Sequence, residues 1–365
     1  MKKILFIFLI TTSIAFFGKN TIYNTYLQDQ EYLENIVKAK NLLNTMTIEE
    51  KIGQVLLARV PEENPKEMIS NYHLGGYILF GRDVTNITKE DLIHKIVSWE
   101  NVSRIPLIFA IDEEGGKVTR LSSNPNIVST PFLSSQELYK QGGLKKIYQD
   151  TILKNHLLEE LHINLNLAPV ADISLNPSSY IYQRTFGKDA NETAEYISTV
   201  IKACQNTNVS CTLKHFPGYG ENVDTHKGLA YDNRTIDELQ ANDFLPFLSG
   251  INEGVSFILV NHTIYSNIEK DVPATLSSKI HQILRKDLNF HGLIITDDLE
   301  MDAIKKNISN PYIKALNAGN DILIVSNIEE AYNELYRGIQ ENKIKEETLN
   351  QAVLRILTWK YSKLF

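Results

Sequence analysis

An α/β protein built as a single (β/α)8 barrel of the TIM type is what the sequence predicts, and three observations point there. Eight short apolar, β-rich runs recur along the chain: Val55–Val60, Gly76–Phe80, Pro106–Ile111, Ile163–Leu167, Val209–His215, Val255–Val260, Gly292–Thr296 and Asp321–Val325. They are continuous rather than alternating, as parallel strands covered on both faces require, and helical stretches separate them. Polar and ionisable residues collect where these runs end: Asp112, Lys214 and His215, Asn261 and His262, and Asp297. In such barrels the carboxyl ends of the strands carry the functional groups, so the pattern aims them into one pocket. A chain of 365 residues, 43% hydrophobic, has room for one such barrel, and nothing in it resembles the Gly-rich first turn of a doubly wound sheet.

The amino-terminal residues stand apart. Lys2 and Lys3 precede an apolar run from Ile4 to Phe17 broken only by Thr11, Thr12 and Ser13. A basic head before an apolar stretch shorter than about 20 residues reads as a secretory signal over residues 1–20, so the protein is expected to be exported and extracytoplasmic. Phe16 and Phe17 occupy the place where cleavage wants small residues, which keeps an uncleaved leader and membrane association as the second reading. Residues 21–46 have the apolar spacing of a leader helix, with Leu33, Ile36, Val37, Leu42 and Leu43 three or four apart. Thr47-Ile48-Glu49-Glu50 then has the form of a capping box and opens the catalytic domain, expected over residues 47–365. From Asn327 onward the pattern is helical and amphipathic. No second αβ pattern follows, so no C-terminal αβ sandwich domain is expected.

Composition excludes several function classes. The net charge of −7, with acidic and basic residues mixed along the chain, disfavours nucleic acid as a partner. Cys204 and Cys211 are too few for a metal site and leave either a short bridged loop or two thiols open. Neither a metal nor a cofactor is expected, and the chain is expected to be a monomer.

Three segments carry candidate chemistry. Lys214-His215-Phe216-Pro217-Gly218-Tyr219-Gly220 ends a strand on a cation and an imidazole and runs into a Pro-Gly loop, followed by Asp224-Thr225-His226. A carboxylate beside an imidazole fixes its tautomer and raises its basicity, which suits proton transfer near neutral pH. Ile294-Ile295-Thr296-Asp297-Asp298 ends a buried strand on two carboxylates, an arrangement that is costly without partners. Asp297 is the one expected to face the pocket, and Asp298 is expected to cap the following helix. Asp112-Glu113-Glu114-Gly115-Gly116, with Arg120 shortly after, suits either a cation or sugar hydroxyls, whose paired hydrogen bonds carboxylates and a guanidinium can match.

Together these segments resemble glycoside hydrolase family 3, in its β-N-acetylglucosaminidase branch. The colinear matches are Thr47–Gln54, Gly75–Phe80, Ile111–Gly116, Asn166–Asp172, Arg184–Gly187, Lys214–Gly218, Ile295–Asp298, Ala318–Asp321 and Arg355–Leu357. The resemblance implies a retaining β-N-acetylhexosaminidase releasing terminal GlcNAc from peptidoglycan-derived muropeptides or related oligosaccharides. It places the nucleophile on Asp297, the proton donor on His226 with Asp224 orienting it, and sugar binding on Asp112, Arg120, Arg184, Lys214 and His215. Tyr219 stands where the branch usually has His, Thr225 where it has Ser, Glu113 where Gln is common and Lys117 where Arg is common. The interval from Lys214 to His226 is one residue shorter than usual. A β-glucosidase or β-xylosidase, or a phosphorolytic glycosidase of the same family, is the nearest alternative. A catalytically silent wall-sugar-binding barrel is the reading from another class.

Overall fold

The structure is a computed structural model and describes residues 30–220 and 228–365. All eight predicted runs become barrel strands; seven are trimmed, and the fifth shifts by one residue, to end on Phe216. They are β1 (Leu56–Arg59), β2 (Gly76–Leu79), β3 (Ile108–Ile111), β4 (Leu165–Asn166), β5 (Ser210–Phe216), then β7 (Phe257–Val260), β9 (Leu293–Thr296) and β10 (Leu323–Val325). They pair in parallel in the order β10-β1-β2-β3-β4-β5-β7-β9, and a bridge between Ile295 and Ile322 brings the two edges together. Two short strands that the sequence reading did not anticipate, β6 (Tyr231–Asp232) and β8 (Ile264–Tyr265), pair in parallel outside the barrel. At two residues each they are too short to show a hydrophobic period.

Helices cover the outside, and one of them starts where the sequence reading placed a capping box. Thr47 accepts from the Glu50 N–H while the Glu50 carboxylate accepts from the Thr47 N–H, so the capping box is formed. Before it, residues 30–43 are helical and bury Ala39 and Leu43. The last helix, Glu346–Lys363, closes the amino-terminal end of the barrel. Trp359 packs edge-on against Phe257, its Nε1 donating to the Ser210 hydroxyl, and Lys360 reaches Gln54 and Gly75. At the same end Asp321 is fully buried between two guanidinium groups, Arg285 at 2.6 Å and Arg355 at 2.7 Å. A bare carboxylate there would be costly, so this clamp ties the start of β10 to two helices. Cys204 and Cys211 form a disulfide that joins the end of helix Ala190–Gln205 to β5.

Candidate active site

The carboxyl ends of the strands surround an open cleft of about 980 Å³, its solvent mouth included. All six residues assigned by sequence within the described chain line it, from four strand ends: Asp112 and Arg120 after β3, Arg184 after β4, Lys214 and His215 on β5, and Asp297 after β9. Asp224, Thr225 and His226 lie outside the described residues.

The local course of β5 explains how two consecutive residues face one cleft. A regular strand sends neighbours to opposite faces. Here the register against β7 slips between Leu213 and Phe216, a bulge at which the Lys214–His215 peptide is cis, and both side chains reach the lining. Asn261, at the end of β7, donates to the His215 carbonyl at 3.1 Å and so supports the bulge from behind. His262 supports the neighbouring strand end: its Nε2 lies 2.9 Å from the Asp298 carbonyl, an acceptor that requires an N–H on that nitrogen. Both residues sit behind the cleft.

The floor is a chain of charge pairs. Lys214 Nζ lies 2.6 Å from Asp112 and 2.7 Å from Glu114, and Arg184 grips Glu114 with two nitrogens at 2.7 and 3.1 Å. Burial pushes the Glu114 carboxyl up, but Arg184 and Lys214 outweigh it and hold it well below the usual carboxylate range. The same partners work in reverse on Lys214: burial favours its neutral form, and Asp112 and Glu114 overcome that and raise its pKa. Glu114 is therefore an ionised hub fixing two cations in one geometry. His215 completes the chain. Its Nδ1 lies 2.6 Å from Asp172, and its Nε2 lies 3.1 Å from Arg184. A carboxylate on one side and a guanidinium donor on the other assign the proton to Nδ1 and leave a lone pair on Nε2.

Asp298 is not the cap of the next helix, which begins at Asp302 with Met301 before it. It instead pairs with Arg59 from β1, Nε at 2.7 Å and Nη2 at 2.5 Å, and accepts from the Glu300 N–H. Burial pushes its pKa up, with Arg59 opposing. Asp297, whose Oδ1 accepts from the Asp298 N–H at 2.8 Å, lines the cleft with Asp298, Asp112, Lys214 and His215. Arg59 also lies 4.2 Å over the Phe80 ring.

Arg59, Glu114 and Asp172 were not singled out by sequence reasoning. Glu114 was noticed only as part of the acidic segment and Asp172 only inside a matched run, since their partners lie 70 and 43 residues away. Glu113, one residue from the hub, has a different task. Fully buried, it accepts from the N–H groups of Arg120 and Leu121 and from the Ser122 hydroxyl at 2.5 Å, so it shapes the loop that presents Arg120. Arg120 Nη2 stands 3.5 Å from Asp112. Among the described residues, no group of three or more His, Cys, Asp and Glu side chains converges as a metal ion needs.

The loop that leaves β5 is secured at both described ends. Tyr265 donates to the Gly218 carbonyl at 2.7 Å, and Arg234 donates to the same carbonyl while pairing with Asp232 and Asp243.

A barrel whose strand ends bring carboxylates, paired cations and an imidazole to one cleft offers the donors and acceptors that sugar hydroxyls need, as a glycoside hydrolase site does. The comparisons with known proteins narrow it. Residues 47–359 match the model described as the glycosyl hydrolase family 3 N terminal domain, and the chain belongs to that family. It is 30% identical over 322 residues to beta-hexosaminidase A of Pseudoalteromonas piscicida, covering 80% of this chain but 54% of that relative, about half its length. It is 30% identical over 285 residues to a beta-hexosaminidase of Nitrosomonas eutropha, 76% of this chain and 81% of the relative. Among solved structures it is similar to a glycoside hydrolase family 3 beta-N-acetylglucosaminidase from Paenibacillus sp. str. FPU-7. There the TM-score is 0.81 at 29% identity, covering 87% of this chain and 62% of the other.

Proposed function

We propose that the protein is a retaining exo-β-N-acetylglucosaminidase that works through a covalent glycosyl-Asp297 intermediate. The observation that carries the reading is the place of Asp297 in the cleft lining with Lys214, His215, Asp112 and Arg184, while its neighbour Asp298 is committed to Arg59. In the first step an Asp297 oxygen attacks the anomeric carbon as the bond to the leaving oxygen breaks. His226, oriented by Asp224, gives that oxygen its proton and then, now neutral, takes one from the water that displaces Asp297. Lys214, His215, Asp112, Arg120 and Arg184 hold the hydroxyls of the terminal sugar. Their cationic members also sit beside the developing negative charge of the leaving carboxylate.

The relatives named beta-hexosaminidase support GlcNAc as the reacting sugar, and wall-derived muropeptides or similar oligosaccharides are the substrates proposed. The apolar stretch from Ile4 to Phe17 supports export, cleaved or anchored. No helix among the described residues is long and apolar enough to cross a membrane. Turnover of an aryl β-N-acetylglucosaminide by wild type and Asp297→Ala tests the assignment. The variant is expected to lose roughly a thousandfold or more, the scale of removing a nucleophile. Near-wild-type turnover would sink it. His226→Ala is expected to lose much less on a good leaving group than on a disaccharide, and equal losses on both would count against the proton-donor role.

A further inference from the structure

The cleft changes character from floor to mouth. Lys214 and His215 are 2% and 5% exposed, whereas Tyr180, in the same lining, is 42% exposed. It is an aromatic ring held out toward solvent by a segment that is itself anchored. The next residue, Ile181, is fully buried, and a short turn at Tyr182–Arg184 follows. Gln136 donates to the carbonyls of Tyr182 and Thr185, and Arg184 is locked on Glu114. Behind the ring stands Tyr219, 3% exposed, its centroid 6.2 Å from that of Tyr180 and tilted by 41°. Tyr219 is fixed in turn: its N–H donates to Asp172 at 2.7 Å, and its ring lies 5.7 Å from His215. A row of rings thus runs from His215 on the floor through Tyr219 to Tyr180 at the mouth.

We propose that Tyr180 is the platform for the sugar on the leaving-group side, and so a specificity-determining residue that favours saccharide leaving groups over small ones. The charged floor supplies the hydrogen bonds that the reacting ring needs, and the rest of the substrate leaves that floor toward solvent. An exposed tyrosine at the mouth offers a flat apolar face to the C–H groups of a pyranose ring while its hydroxyl stays wet. Because the ring is backed and its segment pinned, little conformational freedom is lost when a sugar lies on it. The proposal rests on the reading of the cleft as a glycosidase site.

The test uses the full chain as wild type, Tyr180→Ala and Tyr180→Trp. Two substrates are compared: N,N′-diacetylchitobiose, which places a sugar on the leaving side, and β-N-acetylglucosaminyl azide, whose leaving group has three atoms. Tyr180→Ala is expected to lose on the order of tenfold in kcat/KM on the disaccharide, mainly through KM. It should keep the wild-type rate on the azide, and Tyr180→Trp should keep both. Equal losses of Tyr180→Ala on the two substrates, or no loss on either, would overturn the platform. A wild-type chain inactive on both would overturn the glycosidase reading and the platform with it, an outcome distinct from the others.

Discussion

Lys360 is expected to impose a pH dependence on stability that a single substitution removes. Its ammonium is fully buried and donates to the Gln54 side chain at 2.8 Å and to the Gly75 carbonyl at 3.0 Å. Neither partner is charged, and burial pushes its pKa down from 10.5 to about 7. In the unfolded chain the group titrates near 10.4. Between those values the native state holds fewer protons than the unfolded one, so stability rises with pH. This contribution is complete above the unfolded value, is lost as pH falls toward 7, and changes little below that. A full proton of difference is worth about 1.4 kcal/mol per pH unit, so wild type should gain roughly 2 kcal/mol from pH 7 to pH 9. Tyr77, Tyr196 and Tyr265 are raised by burial and titrate above the window, and the disulfide removes both thiols from it. In Lys360→Met the Gly75 carbonyl still accepts from the Ile108 N–H at 2.9 Å, and Gln54 still donates to the His73 carbonyl, so no gross collapse is expected. Urea unfolding of both chains at pH 7, 8 and 9 and constant ionic strength measures the slope. The variant should be flatter by about 1 kcal/mol per pH unit; an unchanged slope would refute the reasoning.

Other expectations concern single partners. Glu114→Gln leaves Lys214 and Arg184 without their shared carboxylate, so kcat/KM on an aryl N-acetylglucosaminide should fall by roughly a hundredfold. A loss below about threefold in that assay would show that the two cations hold their places unaided. Asp321→Asn leaves Arg285 and Arg355 facing a neutral partner and should destabilise by about 3 kcal/mol in denaturant titration; a change under about 1 kcal/mol would contradict the clamp. Replacing both Cys204 and Cys211 by Ala opens a bridge spanning a sequence separation of 7 and should cost roughly 2 kcal/mol. Activity at low temperature should survive, because neither sulfur reaches the cleft.

What was legible without tertiary structure is what local physics writes into a chain. A barrel strand covered on both faces must be apolar throughout, so all eight runs could be read, all but the fifth overestimated in length because hydrophobicity outlasts pairing by a residue or more. The Thr47–Glu50 capping box was legible for the same reason, since its partners are three residues apart. Strand-end position pointed to Asp112, Lys214, His215 and Asp297 before any distance was known.

Tertiary structure decided the pairings that cross the barrel, because a charge's partner is chosen by space. Sequence allowed Asp298 to cap the helix that follows it, but Arg59, 239 residues away in the chain, takes that carboxylate across the closed sheet. The hub role of Glu114, the proton on His215 Nδ1, and the disulfide left open by a count of two cysteines are likewise settled by distances. Buried charges need compensation wherever the fold brings it, and strand order determines where that is.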